Sequence, residues 1–510
     1  MSLPARRSCR STTASLLPLQ PPGILCGVSP LPTFSHRPFE LGAEATRALA
    51  ERTERALALA RQGGGQSVAS ATVPVPVELD PSAVVLAARR PGERFFCFEQ
   101  PDRDGYAVCG LGSAATVEGA GSARHGDVAA GCRALAARTL ADDPARDPSR
   151  PSGAGPVFTG GFAFAPEGGA SPEWSSFAPM RLTLPEVSLA RQRGETRMTV
   201  NLAVDGGESP DALLDRMRER LAELGPATMP MLDPDPVARP RVSSAAPPSH
   251  YEEAVRRAVE RIRAGGLTKV VLAREVRVHA GAPIDPGPVL AALRGAFPGC
   301  YCYCTGTPEG ALVGASPELL VRRDGARAQT VALAGTSRRS ADPAVDAHLG
   351  EQLLQSPKNR AEQAIVASRI ERALASVSVW VAAAEEPALV KVQNVQHLAT
   401  PIRAQLAVPV SAVELAGRLH PTPAVGGEPA EVAQPLIPAL EGLDRGWYAG
   451  AVGWTDLAED GEFCVALRCA LLRGSVAHLY AGCGVVADSV PAEELAETEV
   501  KLQALLPLLA

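Results

Sequence analysis

The segment Leu479-Tyr-Ala-Gly-Cys-Gly-Val-Val486 reads as a glycine-rich strand, and it leads directly into Pro491-Ala-Glu-Glu-Leu-Ala-Glu-Thr-Glu-Val-Lys501. The second stretch predicts a helix whose period places Glu494, Glu497 and Lys501 on one face, beside a mostly apolar stripe. A row of carboxylates next to a core-facing stripe is typical of a helix that borders a cleft. The plain alternative is that acidic residues favour the first turn of any helix.

A second acidic helix is predicted upstream, around Glu362, which is adjacent to Ile365, Val366 and Ile370 and so borders the buried side. Two acidic helices that face one another can hold a hard divalent cation between them. For Glu362 taken alone, a surface charge paired along the helix is the ordinary alternative.

Composition excludes several classes of protein. The 510 residues carry a net charge of −6 with both signs mixed, so no basic surface is expected to track nucleic acid. The 11 cysteines lack CxxC spacing, which indicates a reduced, cytoplasmic chain. Cys300, Cys302 and Cys304 share one strand face; they can bind a soft metal, but small buried hydrophobes are expected. No apolar run is long enough to cross a bilayer, so no membrane association is expected.

Proline-rich stretches divide the chain. Residues 1–38 weakly resemble a targeting peptide, but prolines break the apolar part, and a disordered tail is expected. Residues 39–225 are rich in strand signals, residues 226–248 read as a connection, and residues 249–510 are rich in motifs. Short strands alternate with longer helices after residue 249.

Local signals predict the boundaries of several elements. Val73–Leu79 reads as a strand, and Leu182–Arg191 reads as one continuous strand of a hairpin. Ser249 and Glu252 form a capping-box pattern at a helix start, and Ser489 is the predicted cap of the C-terminal helix.

Three charged side chains lie at or beside the ends of predicted apolar strands. Lys269 begins the strand Thr268–Arg277 on an apolar face, where desolvation lowers the pKa of an amine until it can accept a proton. Glu318 lies in Gly314-Ala-Ser-Pro-Glu-Leu-Leu-Val321, where poor solvation can keep a carboxyl protonated so that it acts as an acid. Arg468 ends an apolar strand and can bind a carboxylate through two hydrogen bonds. A snorkelling lysine and a solvent-facing glutamate are the alternatives.

Turns near these strands can contribute to binding. The strand Val331–Arg339 ends at Gly335 and Thr336, whose N–H groups and hydroxyl can receive an anion, although a plain strand–loop junction is equally consistent. His397 lies in a segment punctuated by proline; such segments often support sites, but a lone histidine is more often a hydrogen-bonded structural residue.

Taken in order, these segments resemble the chorismate-utilising enzymes over roughly residues 249–505, with a weaker match in Phe158-Thr-Gly-Gly-Phe-Ala-Phe164. Each motif alone is weak, whereas the whole series at family-like spacing is a strong signal. Within the family the chain looks most like the isochorismate synthases. The features that point there are Lys269-Val-Val-Leu-Ala-Arg274, Gly314-Ala-Ser-Pro-Glu-Leu-Leu320, His397-Leu-Ala-Thr-Pro401, His420-Pro-Thr-Pro-Ala-Val-Gly-Gly427 and Glu494-Leu-Ala-Glu-Thr-Glu-Val-Lys-Leu502.

Other branches of the family differ at marked positions. Anthranilate and aminodeoxychorismate synthases typically show Gly-Ala-Pro-Lys where this chain has Pro423-Ala-Val-Gly-Gly427, and they need a glutaminase partner, so no glutaminase subunit is expected. Salicylate synthases usually lack the Ala-Thr-Pro that follows His-Leu. This chain departs from its relatives at Gln363, where His is frequent, and at Cys483, where Ala is common.

The resemblance implies an isomerase that adds water at C2 of chorismate, expels the C4 hydroxyl and shifts the ring double bonds. It makes Lys269 the general base and Glu318 the general acid. It also implies Mg²⁺ held by Glu362 and Glu497, with Glu494 supporting the ion through water. The remaining implied substrate-binding residues are Arg468, Tyr448, Gly482 and Gly484 around the enolpyruvyl carboxylate, Gly335 and Thr336 near the ring, and His397.

The implied fold is one large α/β unit of the α+β type, the chorismate-utilising-enzyme fold. Two antiparallel sheets pack together, helices lie outside, and both halves of the chain contribute strands, so residues 226–248 become a connection within the unit. A monomer serving menaquinone or catechol siderophore biosynthesis is expected. A salicylate synthase-type lyase and a non-catalytic chorismate-binding paralogue are the alternatives.

Overall fold

Two large β-sheets pack together, and helices lie against both of them. The structure is a computed structural model that describes residues 38–143, 149–233, 239–393 and 395–509. The predicted disordered tail, residues 1–38, lies outside the described residues except for its last residue.

The helices are distributed among the strands along the described chain. They are α1 (Ala43–Gly63), α2 (Pro81–Ala88), α3 (Arg124–Ala136), α4 (Pro210–Ala222), α5 (Pro248–Arg263), α6 (Pro286–Ala296), α7 (Pro343–Gln355), α8 (Pro357–Ala375), α9 (Ala412–Leu419), α10 (Ala430–Glu441), α11 (Pro491–Leu502) and α12 (Leu506–Leu509).

The strands of the first half are β1 (Ser67–Val75), β2 (Phe95–Gln100), β3 (Tyr106–Leu111), β4 (Ala115–Gly119), β5 (Thr139–Leu140), β6 (Val157–Phe162), β7 (Met180–Leu184), β8 (Val187–Gln192) and β9 (Glu195–Val204). Those that follow are β10 (Arg241–Ser244), β11 (Lys269–His279), β12 (Tyr301–Thr307), β13 (Gly310–Ser316), β14 (Leu319–Asp324), β15 (Arg327–Arg338), β16 (Ser378–Ala383), β17 (Ala388–Lys391), β18 (Val395–Leu406), β19 (Gly427–Glu428), β20 (Ala451–Asp456), β21 (Gly461–Val465), β22 (Cys469–Arg473) and β23 (Val476–Val485).

Both halves of the chain contribute to both sheets, which confirms the predicted fold class. The larger sheet has the order β10-β11-β23-β22-β13-β12-β2-β3-β8-β9-β1-β5, with β19 paired to β11. The smaller sheet has the order β16-β18-β15-β14-β21-β20-β6-β7-β4, with β17 paired to β18. Pairing among the described strands is antiparallel except between β1 and β5. The connection at residues 226–248 contains β10, which forms an edge of the larger sheet.

Two apolar layers hold this arrangement together. One lies between the sheets and includes the aromatic side chains of Phe98, Phe158, Trp454 and Phe463. The other packs the larger sheet against α1, α2, α4 and α6, and the predicted row of Cys300, Cys302 and Cys304 is buried in it as free thiols. Burial of apolar surface is the main stabilising contribution to such layers.

Two predicted strands differ from the observed ones because of proline. The predicted strand Leu182–Arg191 is wrong as a single element: it is broken at Pro185 into β7 of the smaller sheet and β8 of the larger sheet. The predicted strand Val73–Leu79 instead begins at Ser67 and ends at Val75, just before Pro76. Proline has no N–H group to donate to a sheet, which explains the break at Pro185. Strand β1 contains Pro74 and ends one residue later.

Two predicted helix caps are also wrong. Helix α5 begins at Pro248, so Ser249 already lies inside the first turn and no side chain caps the helix. Helix α11 has Val490 at its cap position; the Ser489 hydroxyl accepts a hydrogen bond from the Val486 N–H (3.1 Å) and also bonds the Glu494 carboxyl. In both places tertiary contacts and a proline in the first turn set the helix start in place of a side-chain cap.

No helix among the described residues combines the length and the apolar character needed to cross a bilayer.

Candidate active site

A single cavity brings together every site residue that the sequence predicted. It lies between the two sheets and helices α8 and α11 and measures about 940 Å³ when its opening is included. The predicted residues in its wall are Lys269, Glu318, Gly335, Thr336, Glu362, His397, Tyr448, Arg468, Gly482, Gly484, Glu494 and Glu497.

Glu318 and Arg468 reach this cavity because the chain passes from one sheet to the other at each of them. Strand β13 ends at Ser316 in the larger sheet and β14 begins at Leu319 in the smaller one, so Glu318 stands in the crossing. Arg468 stands in the crossing between β21 and β22, with a positive φ of 48°. Such irregular backbone is frequent where a fold holds functional side chains.

Lys269, the first residue of β11, is almost fully buried in the cavity wall. Its side chain is 1% exposed, and its Nζ lies 2.8 Å from Glu362 Oε1 on α8. The neighbouring strand leaves room for this pair only because it carries Gly484, where a Cβ atom would lie 2.6 Å from Glu362 Oε1 and 2.8 Å from Lys269 Cε. The structure therefore joins the predicted base to one of the predicted metal ligands.

Glu318 is held in a form suited to an acid. Its side chain is buried, and this burial raises its pKa to about 8, although Lys269 and a hydrogen bond from Thr422 oppose the shift. A carboxyl group with such a pKa is mostly protonated at neutral pH. The predicted protonation state of Glu318 is thus consistent with its surroundings.

His397 orients Arg468 at the cavity wall. Its Nε2 lies 3.3 Å from an Arg468 nitrogen, and its Nδ1 lies 3.2 Å from the Gly335 carbonyl oxygen. Because arginine only donates, Nε2 accepts and Nδ1 carries the proton that is donated to Gly335. Burial and the charge of Arg468 lower the His397 pKa to about 3, so the ring is neutral. Gly335 has a φ of 68° at an irregularity in the β15–β18 pairing, which aims its carbonyl at the ring.

The acidic face of α11 places two carboxylates close together. Ligand atoms of Glu494, Glu497 and Cys483 lie within 4.8 Å of one another, the one such group found among the described residues. Burial raises the pKa of Glu494. Burial also acts to raise the pKa of Glu497, but Lys501, whose Nζ is 2.7 Å from Glu497 Oε1, outweighs it and the pKa is lowered.

These donors fit a hard divalent cation. Glu362 does not belong to the group, but it lines the same cavity, with its carboxylate turned to Lys269. Burial raises the pKa of the Cys483 thiol well above its usual value, and a protonated thiol is a poor ligand. The remaining donors are carboxylate oxygens, which suit Mg²⁺ rather than Zn²⁺.

Three basic residues in the wall, Lys358, Lys501 and Arg445, carried no predicted role. The Nζ of Lys358 lies 3.8 Å from Glu494 Oε1. Lys501 donates to Glu497 and to the Gly482 carbonyl oxygen (2.8 Å), so it ties α11 to β23; its spacing of four residues from Glu497 was the available signal. Arg445 donates to the carbonyl oxygens of Val271 (2.9 Å) and Val425 (2.8 Å) and pairs with Glu441. The spacing of four residues indicates the pair with Glu441, but nothing local in the sequence indicates the two contacts of Arg445 with backbone carbonyls.

Gln363, where relatives often carry His, has a structural role here. Its Nε2 donates to the Ala332 carbonyl oxygen (2.8 Å) and to the Thr400 hydroxyl (2.9 Å). These bonds tie α8 to β15 and β18, and so they fix the helix that carries Glu362.

Two tyrosines and a glycine shape the far wall. The rings of Tyr448 and Tyr480 stack with centroids 5.2 Å apart. A Cβ atom at Gly482 would lie 3.1 Å from the Tyr448 hydroxyl. The glycine therefore lets that hydroxyl approach β23 closely.

The chain matches proteins of known activity over most of its length. It is 36% identical over 358 residues to "Isochorismate synthase MenF" of Bacillus subtilis, an alignment that spans 70% of this chain and 75% of that protein. It is 36% identical over 417 residues to "Salicylate biosynthesis isochorismate synthase" of Pseudomonas aeruginosa, across 80% of this chain and 83% of that protein.

A solved structure shows the same similarity in three dimensions. The menaquinone-specific isochorismate synthase MenF from Escherichia coli superposes with a TM-score of 0.73 at 26% identity, covering 91% of this chain and all of that one. The family model described as "Chorismate binding enzyme" matches residues 53–510. With that match and these relatives, the chain belongs to the chorismate-binding enzyme family.

Proposed function

We propose that this enzyme is an isochorismate synthase, an isomerase that converts chorismate to isochorismate with Mg²⁺. The observation that carries the proposal is the placement of a buried lysine and a protonated glutamate, Lys269 and Glu318, in the wall of one cavity with Arg468. The names of the relatives support it, because they are isochorismate synthases. The product would serve menaquinone or catechol siderophore biosynthesis.

The reaction needs two proton transfers, and the two side chains match them. Lys269 would take a proton from water as its oxygen bonds to C2, while the ring double bonds shift and the C4–oxygen bond breaks. Glu318 would give its proton to the departing hydroxyl, which leaves as water. No atom is gained or lost, and the two residues then exchange a proton to return to their starting forms.

The base must be neutral when it acts. In the structure the Lys269 Nζ is paired with the Glu362 carboxylate at 2.8 Å. Glu362 is also a proposed metal ligand. A Glu362 carboxylate bound to the metal ion would no longer pair with the Lys269 amine.

Chorismate carries two carboxylates, and the cavity offers separate positive groups for them. Arg468, held by His397, would bind the enolpyruvyl carboxylate together with Tyr448 and the backbone of Gly482 and Gly484. Gly335 and Thr336 would lie near the ring. A bound Mg²⁺, held by Glu362 and Glu497 with Glu494 nearby, would neutralise the ring carboxylate in a pocket that is otherwise rich in glutamate.

Water as the nucleophile makes an ammonia-supplying glutaminase subunit unnecessary. We therefore propose a cytoplasmic enzyme that acts without such a partner and as a monomer.

The proposed function is tested by the products formed. Purified protein, chorismate and Mg²⁺ are incubated, and the products are separated by liquid chromatography while pyruvate is assayed with lactate dehydrogenase. Isochorismate without pyruvate is expected. Salicylate with equimolar pyruvate would establish a lyase, and no turnover with intact binding of chorismate would establish a non-catalytic paralogue.

The metal assignment is tested with Glu497→Gln. Loss of a ligand charge should weaken Mg²⁺ binding by roughly tenfold or more, seen as a higher Mg²⁺ concentration for half-maximal activity. Mn²⁺ binding followed by electron paramagnetic resonance gives a readout independent of turnover. Glu493→Gln, which changes an exposed residue of the same helix, is the matched control and should leave both values unchanged. Equal Mn²⁺ affinity in the two variants would remove Glu497 from the metal site.

A further inference from the structure

Lysine is rare in this chain and is concentrated at the active site. Only four of the 50 lysine and arginine residues are lysines, and three of these four line the active-site cavity. Each of the three stands beside a different carboxylate of the proposed metal site. The pairs, measured from Nζ to a carboxylate oxygen, are Lys269 with Glu362 (2.8 Å), Lys501 with Glu497 (2.7 Å) and Lys358 with Glu494 (3.8 Å).

Lysine differs from arginine in a way that matters at these positions. An ammonium group is a compact point charge, whereas a guanidinium is a broad planar fork. Ion pairs at the surface of this chain use arginine, for example Arg90 with Glu223 and Arg256 with Glu253. The cavity instead places compact positive charges beside its carboxylates, which is also how a metal ion would be placed.

The Lys501 ammonium is held on three sides. It donates to Glu497 Oε1 and to the Gly482 carbonyl oxygen (2.8 Å), and the Cys483 Sγ lies 3.7 Å away. A lysine ammonium has three donors, so each of them has an acceptor here. The side chain is only 13% exposed, and these contacts fix its charge inside the cavity wall.

The same ammonium lies against the residues best suited to a cation. Glu497 and Cys483 are two of the three residues whose ligand atoms lie within 4.8 Å of one another, and Glu494 is the third. A divalent cation bound there would lie next to the Lys501 ammonium, and like charges so close together repel. The cation must displace this ammonium or overcome its repulsion.

Lys358 has the same relation to Glu494, but a weaker one. Its side chain is 42% exposed and its Nζ is 3.8 Å from the carboxylate, and exposed ion pairs contribute little free energy. The carboxylates of Glu494 and Glu497 repel one another, and an ammonium beside each of them offsets this repulsion.

We propose that Lys501 and Lys358 are internal counter-ions of the metal-binding carboxylates, which a divalent cation displaces when it binds. This role rests on the metal site of the proposed function, but not on the reaction. The ammonium groups then balance the charge of the metal-free site, and the metal binds more weakly than the carboxylates alone would allow. The opposing role for Lys501 is to position α11 so that Glu497 can bind the metal. The two roles predict opposite effects of removing the ammonium.

Mn²⁺ binding to the full-length protein, without chorismate, is measured by electron paramagnetic resonance. Lys501→Met and Lys358→Met each remove one ammonium and keep an unbranched apolar side chain. Lys391→Met is the matched control, because Lys391 is the remaining lysine of the chain. Its side chain is 40% exposed and pairs with Asp346 (3.0 Å), and it does not line the cavity.

Lys501→Met should bind Mn²⁺ about tenfold more tightly than the wild type, because the metal no longer meets a like charge beside Glu497. Lys358→Met should bind about threefold more tightly, the smaller effect of a partly exposed pair, and Lys391→Met should bind as the wild type does. Unchanged or weaker binding to Lys501→Met would overturn the proposal. Lys358→Met decides the matter in the same way if Lys501→Met does not fold.

The melting temperature gives a readout that does not depend on Mn²⁺. In EDTA, Lys501→Met should melt below the wild type, because Glu494 and Glu497 then repel without compensation. Excess Mg²⁺ should raise the melting temperature of Lys501→Met more than that of the wild type, because a cation that binds the folded state more tightly stabilises it more. A loss of stability that Mg²⁺ does not restore would instead identify a lysine that only ties α11 to β23.

These results are distinguishable from a failure of the proposed reaction. Tighter Mn²⁺ binding to Lys501→Met, together with a product other than isochorismate from the wild type, would overturn the reaction alone. Isochorismate formation by the wild type, together with unchanged Mn²⁺ affinity in Lys501→Met, would overturn the counter-ion role alone.

Discussion

Replacing Lys269 by alanine is expected to abolish isochorismate formation while chorismate still binds. Removal of a general base costs up to about 10⁴ in kcat, because water alone is a poor nucleophile at C2. The dissociation constant for chorismate, measured by calorimetry, should change little, since Arg468 and the proposed metal-binding glutamates remain. Near-wild-type turnover would remove Lys269 from the mechanism.

Because Lys269 pairs with Glu362, the Lys269→Ala variant needs a second variant as a control. Lys269→Ala also leaves the Glu362 carboxylate without its partner at 2.8 Å, so a loss of activity alone has two explanations. Lys269→Arg keeps a positive charge beside Glu362, but a guanidinium does not deprotonate in proteins. If Lys269 serves only to pair with Glu362, the arginine variant should be active; if Lys269 is the base, it should be as inactive as the alanine variant.

Replacing Glu318 by glutamine is the second substitution with a large expected effect. Glutamine keeps the shape of a protonated carboxyl but cannot donate its proton, so kcat should fall by about 10²–10⁴ with little change in chorismate affinity. Rapid-quench assays with saturating chorismate measure the chemical step. Activity within a few-fold of wild type would show that another group protonates the departing hydroxyl.

The pH dependence of kcat and of folding stability follows from Glu318. Because Glu318, as the proposed general acid, must be protonated to act and its pKa is raised to about 8, kcat of the wild type should decline as the pH rises through 8. The folded state keeps this proton at pH values where the unfolded chain has lost it, so folding stability contributed by this group falls as the pH rises from about 4.5 toward 8. Glu318→Gln should lack that part of the decline in melting temperature.

Asp456→Asn provides a matched control for Glu318→Gln. Burial and the nearby Asp460 raise the pKa of Asp456 to about 7, so it too is a buried carboxyl with a raised pKa. It lies at the end of β20 and does not line the active-site cavity. Its substitution should alter the pH dependence of stability without altering kcat.

Features of the fold and the site whose sequence signal extends over many residues were predicted correctly. The fold class came from a long series of motifs in order, and every predicted site residue lines one cavity because each motif marks a strand end or helix face.

Features that depend on contacts between residues far apart in the sequence were not predicted. Pro185 marks a break in a strand, but only the folded structure shows that β7 and β8 then join different sheets. Ser489 looks like a helix cap, yet its hydroxyl bonds Glu494 and the backbone of Val486 instead. The pairing of Lys269 with Glu362 joins β11 to α8, and no local pattern could indicate it.

The shared sheets also constrain how this polypeptide can be made. Gly160 of β6 pairs with Gly453 of β20, and Cys97 of β2 pairs with Cys304 of β12. Strands β2 and β6 are therefore synthesised long before the strands with which they pair. During that interval the nascent first half exposes unpaired edges and apolar faces, which are prone to association with other chains. Late closure of both sheets is therefore a requirement of this architecture.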